Sequence, residues 1–141
     1  MADRETPLEC IAFMLIQDDR LLVERRSMSK RVVPGVLSIP GGHMEPGEQP
    51  EGALLRELSE ELGIAALTVR YVCTLLHRSE EFRKLHYFAV EEWTGEIAAA
   101  EAESLHWIGL GEPGRLDLDV DRVAVSEYLR NYGLDSGSAA G

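Results

Sequence analysis

From Gly42 to Ile64 the chain reads GHMEPGEQPEGALLRELSEELGI, a turn rich in glycine and proline followed by a segment that carries Arg56, Glu57, Glu60 and Glu61. If that segment is helical, each residue turns the chain by about 100° and residues three or four apart share a face, so the three glutamates converge. Like charges gathered this way repel, and the repulsion is costly in a half-buried cleft unless a cation offsets it. A hard divalent cation does so: Mg2+ takes oxygen ligands, keeps several waters, and is commonly shared between one or two carboxylates and substrate phosphates. The chemistry implied is a divalent metal held against phosphate.

The elements that must position these groups are also written locally. Leu54, Leu58 and Leu62 fall on one stripe with Leu55 at its edge, so one flank of the predicted helix packs on a core while the acidic flank looks into a cleft. Pro50 suits the first helical turn and Gly63 the position just past its end, while Gln49 is a weak N-cap. Ahead of the helix, Pro40, Gly41, Gly42 and Gly47 supply the backbone freedom of a tight loop that approaches a ligand. An ordinary solvated acidic helix has a similar composition, and it is this flanking context that separates the two readings.

Gly42, Glu48, Arg56, Glu57, Glu60, Glu61 and Gly63, with aliphatic Leu58 and Ile64, match the Nudix box G-x5-E-x7-R-E-U-x-E-E-x-G-U at every position, and on these residues the chain resembles a Nudix hydrolase. The resemblance implies Mg2+, with Mn2+ as an alternative, bound by Glu57, Glu60 and Glu61 and by a backbone carbonyl from Gly41. It also implies that Gly42 and Glu48 support the loop–helix junction and that Arg56 orients carboxylates. The segment Leu85 to Glu96 resembles the MutT-like branch, whose strand ends in a W-x-G-E turn. Counting onward from Trp93 places Glu101 where that branch carries a further acid. Glu103 lies two residues on, and on the same side if the segment is extended.

Alternating apolar stretches predict strands at residues 11–16, 21–23, 36–39, 67–77, 85–92 and 104–108, with helices over 50–62 and 119–131. Mixed strands with one central and one terminal helix predict an α/β/α sandwich with a mixed β-sheet, which is also what the Nudix resemblance implies. The 141 residues make one domain's length, with 134–141 as a frayed tail. Monomer and homodimer are both open.

The net charge of -11 argues against a nucleic-acid groove or an anionic membrane surface as partner. A nucleotide substrate remains compatible, because a metal neutralises phosphate locally and the cations are grouped, at Arg25, Arg26, Lys30 and Arg31 and again at Arg78, Arg83 and Lys84. Arg25 and Arg26 are the candidates for binding the phosphate chain. Cys10 and Cys73 lack zinc or redox spacing and read as reduced core residues. A charged N-terminus without an apolar leader gives a cytoplasmic expectation.

Substrate class rests on thinner signals. No proline occurs between Pro50 and Pro113, and Glu81-Phe82 stands where relatives acting on diadenosine polyphosphates carry tyrosine. The proline and tyrosine markers implied by relatives acting on ADP-ribose or diadenosine polyphosphates are thus missing. The MutT-like strand favours a nucleoside triphosphate cleaved to monophosphate and pyrophosphate, with ADP-ribose or a nucleotide sugar as the alternative and a non-hydrolytic nucleotide sensor as a third reading. Asp119 or Asp121, at the start of the last helix, could pair with a base edge, although acids there also stabilise the helix dipole. The bacterial MutT pattern has asparagine in this region. His43, His77, His86 and His106 read as structural or exposed, and Trp93 and Trp107 as core or rim aromatics.

Overall fold

The computed structural model of the chain describes residues 6–25, 36–79, 81–98 and 104–133. β1 (Leu8–Gln17) turns directly into β2 (Arg20–Arg25), and the two-residue turn places Asp18 and Asp19 at φ 55° and 61°. Both central residues left-handed is the hairpin geometry whose twist matches the flanking strands, and aspartate tolerates it better than most residues. β3 (Leu37–Ser38) and β4 (Gly41–His43) follow, then α1 (Pro50–Glu57), whose final turn Leu58–Leu62 widens to π geometry. The remaining elements are β5 (Ala65–Arg78), β6 (Phe82–Thr94), β7 (Ser104–Gly109), a 3-10 turn (Pro113–Arg115) and α2 (Asp119–Tyr132).

The strands form a mixed sheet in the order β3-β2-β1-β6-β5, with β4 also paired to β1 and β7 to β2. β1 runs parallel to β6 from Leu8↔Arg83 to Leu15↔Val90, and the other pairings are antiparallel. Successive side chains on a strand point to opposite faces, and β1 is apolar on both. Cys10, Ala12, Met14 and Ile16 pack with Val120, Ala124, Val125 and Tyr128 of α2. Ile11, Phe13 and Leu15 pack with Ala53 and Leu54 of α1 and with Leu58 and Leu62 of its last turn. One helix therefore covers each face, giving the expected α/β/α sandwich.

Two local expectations change. Gly41 and Gly42, read as loop, form β4, because β1 lies alongside and pairs Ala12 with Gly41 and Ile11 with Gly42. The helix expected to run uniformly from Pro50 to Leu62 ends in an i→i+5 turn, so Glu60 and Glu61 rotate less from Glu57 than regular α spacing predicts. Gly63, at φ 72°, then reverses the chain, with Ile64 N–H donating to the Leu58 carbonyl at 3.3 Å. The apolar stripe is as expected: Leu54, Leu58 and Leu62 are buried and Leu55 is half exposed. Gln49 makes no side-chain cap.

Candidate active site

Arg56 organises the acidic turn. Its Nε donates to Glu48 Oε2 at 2.6 Å and its Nη2 to Glu48 Oε1 at 2.9 Å, a bidentate fork. Nη1 donates to Glu57 Oε2 at 3.1 Å and to Glu60 Oε1 at 3.0 Å, and Nη2 reaches the His43 carbonyl at 3.1 Å. Glu48 also caps the turn below it by accepting the Glu45 N–H at 2.7 Å. Pro46 and Gly47 make that turn, with Gly47 at φ 84°. The guanidinium hydrogen bonds, helped by the Glu45 N–H, hold the Glu48 carboxyl down to about 2. Arg56 itself is raised, mainly by Glu48.

Glu57 is in a different state. It is buried beneath the helix, and burial pushes its carboxyl above the ordinary range while Arg56 pulls in the opposite direction. It lies directly over β4, so a methyl group at Gly42 would stand 2.5–2.6 Å from its carboxyl atoms. Gly42 is therefore glycine because Glu57 occupies the place of a side chain. A side chain at Gly41 would instead collide with the Ile11 backbone.

Among the described residues, no three His, Cys, Asp or Glu side chains stand close enough to hold a metal ion by themselves. Glu57 and Glu60 converge all the same, since one guanidinium nitrogen touches one oxygen of each. Two oxygen donors, one desolvated, fit a hard ion that completes its shell with water and substrate phosphate. Glu61 is half-buried one residue further along the turn, and Gly41 is exposed in β4. Glu101, Glu103 and Arg26 lie outside the described residues. The chain that leads to Glu101 leaves from beside the helix end, where Ala98 N–H donates to the Leu62 carbonyl at 2.9 Å. Trp93 and Trp107, on either side of that segment, stack at 6.4 Å.

The other candidates separate. Arg25 is exposed on β2, opposite Leu37 and Ser104. Arg78 stacks over Phe82 at 4.1 Å, Lys84 lies 3.9 Å from Glu9, and Arg83 stands opposite His77 in the β5–β6 ladder. Burial, followed by Arg83, lowers the His77 imidazole. Asp119 is exposed, whereas Asp121 is buried. Asp121 accepts the Ile39 N–H at 3.0 Å and the Tyr87 hydroxyl at 2.6 Å. Each of its oxygens thus has one partner within the protein. Sequence reasoning did not single out Asp117 and Tyr87. Their partners are far away in the chain, and no spacing rule relates them.

On the α1 face, Tyr71, His86 and Phe88 line an open cavity of about 460 Å3 with Gln49, Pro50 and Glu51. His86 is fixed between Thr74 Oγ1 at 3.0 Å and Glu9 Oε1 at 2.7 Å. Its ring is a wall with both nitrogens engaged.

An acidic helix turn gathered by an arginine and laid over a glycine strand, inside an α/β/α sandwich, is the arrangement of a hydrolase acting on phosphate anhydrides. The chain belongs to the Nudix family, since the NUDIX domain model matches residues 7–129. It is similar to the CTP pyrophosphohydrolase of Escherichia coli (strain K12), 33% identical over 103 residues that cover 71% of this chain and 74% of that protein. The 8-oxo-dGTP diphosphatase of the same strain is 32% identical over 98 residues, 67% of this chain and 73% of that protein. Among solved structures, the MutT NUDIX hydrolase from Burkholderia pseudomallei matches with a TM-score of 0.78 at 26% identity, covering 87% of this chain and 98% of that one. These matches make the chain a hydrolase of the MutT-like branch, in a family that generally uses divalent metals and acts on nucleotides. No described helix is long and apolar enough to cross a membrane.

Proposed function

We propose that the chain hydrolyses a (deoxy)nucleoside triphosphate to the monophosphate and pyrophosphate, with Mg2+ as the metal and Mn2+ as a substitute. The observation that carries the reading is the convergence of desolvated Glu57 and exposed Glu60 on one arginine nitrogen, over a glycine that leaves room for nothing else. The names of both enzyme relatives, CTP pyrophosphohydrolase and 8-oxo-dGTP diphosphatase, support a triphosphate substrate. When bound, the ion polarises phosphoryl oxygens and activates water. Glu57, Glu60 and Glu61 hold it, with Gly41 contributing its carbonyl and Glu101 completing the set. Arg56 touches no substrate: it holds Glu57 and Glu60 at fixed angles and anchors them to Glu48. Arg25 and Arg26 take the phosphate chain, and Asp119 or Asp121 meets the base.

A panel of nucleoside triphosphates, 8-oxo-dGTP, ADP-ribose and nucleotide sugars, assayed with Mg2+ and with Mn2+, tests the proposal. Triphosphates should lead, with pyrophosphate as product. ADP-ribose leading would replace the substrate assignment, and binding without turnover by any compound would make the domain a sensor. Glu101→Gln should impair turnover far more than Glu103→Gln, and the reverse order would transfer the role.

A further inference from the structure

β5 closes the sheet. In the order β3-β2-β1-β6-β5 it pairs with β6 on one side, and on the other no described strand meets it. Such an edge leaves a row of backbone N–H and C=O groups open to another chain, and soluble proteins guard it with charges, proline or bulges. The guards on β5 are unevenly placed. Register shifts interrupt the ladder between Ala66 and Cys73, and the Tyr132 hydroxyl donates to the Tyr71 carbonyl at 2.7 Å. From Cys73↔Tyr87 to Arg78↔Phe82 the pairing with β6 is unbroken. The first half of the strand is blunted, and the second half is a regular open edge.

The side chains of this strand are as open as its backbone. Leu67 and Leu76 are the most exposed large apolar residues among the described ones, at 65% and 58%, and both belong to β5. Side chains alternate along a strand, and Cys73 and Leu75 pack on the core beneath α2, so Leu76 lies on the other face with Thr74 and Arg78. From Ala65 to Arg78 there is no proline and no Asp or Glu, in a chain with 25 acidic residues and a net charge of -11. The arginines are drawn inward: Arg70 donates to Glu91 at 2.8 Å and lies 4.7 Å over the Tyr132 ring, and Arg78 lies over Phe82 of β6. Two copies of so acidic a chain repel over most of their surface. Along this strand they can meet with no carboxylate opposite another.

We propose that two copies of the chain pair antiparallel through residues 73–78 of β5, about a two-fold axis at Leu76, so that their sheets become one. Pairing of this kind is isologous, each copy using the same patch. With the axis perpendicular to the sheet, like faces stay on the same side, so Leu76 meets its counterpart and Thr74 meets Arg78. Leu76 marks the axis because Leu75 is already packed on the core. Pairing takes Leu76 out of water, gives the open N–H and C=O groups partners, and sets no like charges opposite one another. Six residues a side make a small interface, below about 1,200 Å2, so the dimer forms reversibly as concentration rises. Glu57 lies over β4, with β1 and β6 between it and β5, and the acidic turn stays uncovered.

Sedimentation equilibrium of the full chain tests the proposal, on wild type, Leu76→Glu, Leu76→Cys and Val123→Glu, with amide exchange followed alongside. Wild type should pass from monomer toward dimer as concentration rises through the micromolar range. Added salt should push it further, because screening weakens the repulsion between two acidic copies. Amides within 73–78 should exchange more slowly as the dimer forms. Leu76→Glu sets two carboxylates face to face and should weaken dimerisation about 10-fold or more, with the fold intact by circular dichroism. Val123→Glu changes an exposed apolar residue of α2 and should leave the dimer as it is. If Leu76→Glu fails to fold, Leu76→Cys decides: it should cross-link to its counterpart on oxidation, while the wild type, with Cys73 packed on the core, should not. A wild type that stays monomeric at every concentration would overturn the proposal. Slow exchange at 73–78 in that monomer would show another part of the same chain covering the edge, and fast exchange would show the edge bare. A dimer that survives Leu76→Glu, is weakened equally by Val123→Glu, or gives no cross-link in Leu76→Cys would also overturn it, since the interface would lie elsewhere.

Discussion

The two faces of the sheet both gather carboxylates, and they use them in opposite ways. On the α1 face Glu48, Glu57 and Glu60 surround a guanidinium, whereas on the α2 face Asp117 and Asp121 meet backbone N–H groups and a tyrosine hydroxyl. The consequence shows in their protonation. Glu48 is held down to about 2 by the Arg56 hydrogen bonds, while burial pushes Asp121 up to about 6 against the pull of Tyr87 and Ile39. A carboxylate held by two guanidinium hydrogen bonds, as Glu48 is, stays ionised over the whole physiological range. A buried one with neutral donors serves as an acceptor that holds backbone in place.

The largest effect should come from closing the gap under the acidic face. Gly42→Ala places a methyl group against the Glu57 carboxyl, a flexible side-chain end that can move aside, so the protein should fold while kcat drops about 100-fold or more. Gly41→Ala meets the Ile11 backbone, which cannot yield, and should lower the melting temperature first. Equal kcat in Gly42→Ala and wild type, measured at saturating Mg2+, would show that Glu57 need not sit where it does.

Arg56→Lys sharpens the comparison at the next level. Lysine keeps the charge and loses the fork that binds Glu48 through two nitrogens while a third bridges Glu57 and Glu60. Turnover should fall about 10- to 100-fold with weaker Mg2+ dependence, read from a metal titration. If charge alone sufficed, lysine would be nearly silent.

The smallest effects separate the two faces by pH. Glu48 is depressed in the folded state, so its contribution to stability is present above its ordinary carboxylate range and is lost as pH falls toward 2. Asp121 is raised from 3.8 to about 6, so the folded state binds the extra proton and its contribution declines as pH rises through that window. Denaturant unfolding from pH 3 to 8 should show Asp121→Asn gaining on the wild type as pH rises, by up to about 3 kcal/mol for the pH-dependent part. Glu48→Gln should gain on the wild type only as pH falls below the carboxylate range. Parallel profiles for both variants would erase the distinction between the faces.

How much could be read beforehand follows the same division. Arg56, Glu57 and Glu60 lie within two helical turns, so residue spacing places them together, and the stripe Leu54, Leu58 and Leu62 identifies the flank that packs. The widened turn after Glu57 carries no comparable mark. Gly41 and Gly42 read as loop because their pairing partner, β1, lies far upstream. The hydrogen bonds of Asp121 were not legible, because its partners, Ile39 and Tyr87, are 82 and 34 residues away. Local periodicity carries chemistry that sits on one element. Contacts between distant elements are decided by the fold, and the α2 face is built almost entirely of these.

Product analysis by phosphorus NMR tests the central claim most directly, using wild type and Glu57→Gln with a nucleoside triphosphate and Mg2+. The account predicts nucleoside monophosphate and pyrophosphate from the wild type, and turnover lower by two or more orders of magnitude in the variant, because losing one anionic ligand removes charge that holds the ion. Orthophosphate as the product, or equal rates for the two proteins, would contradict it.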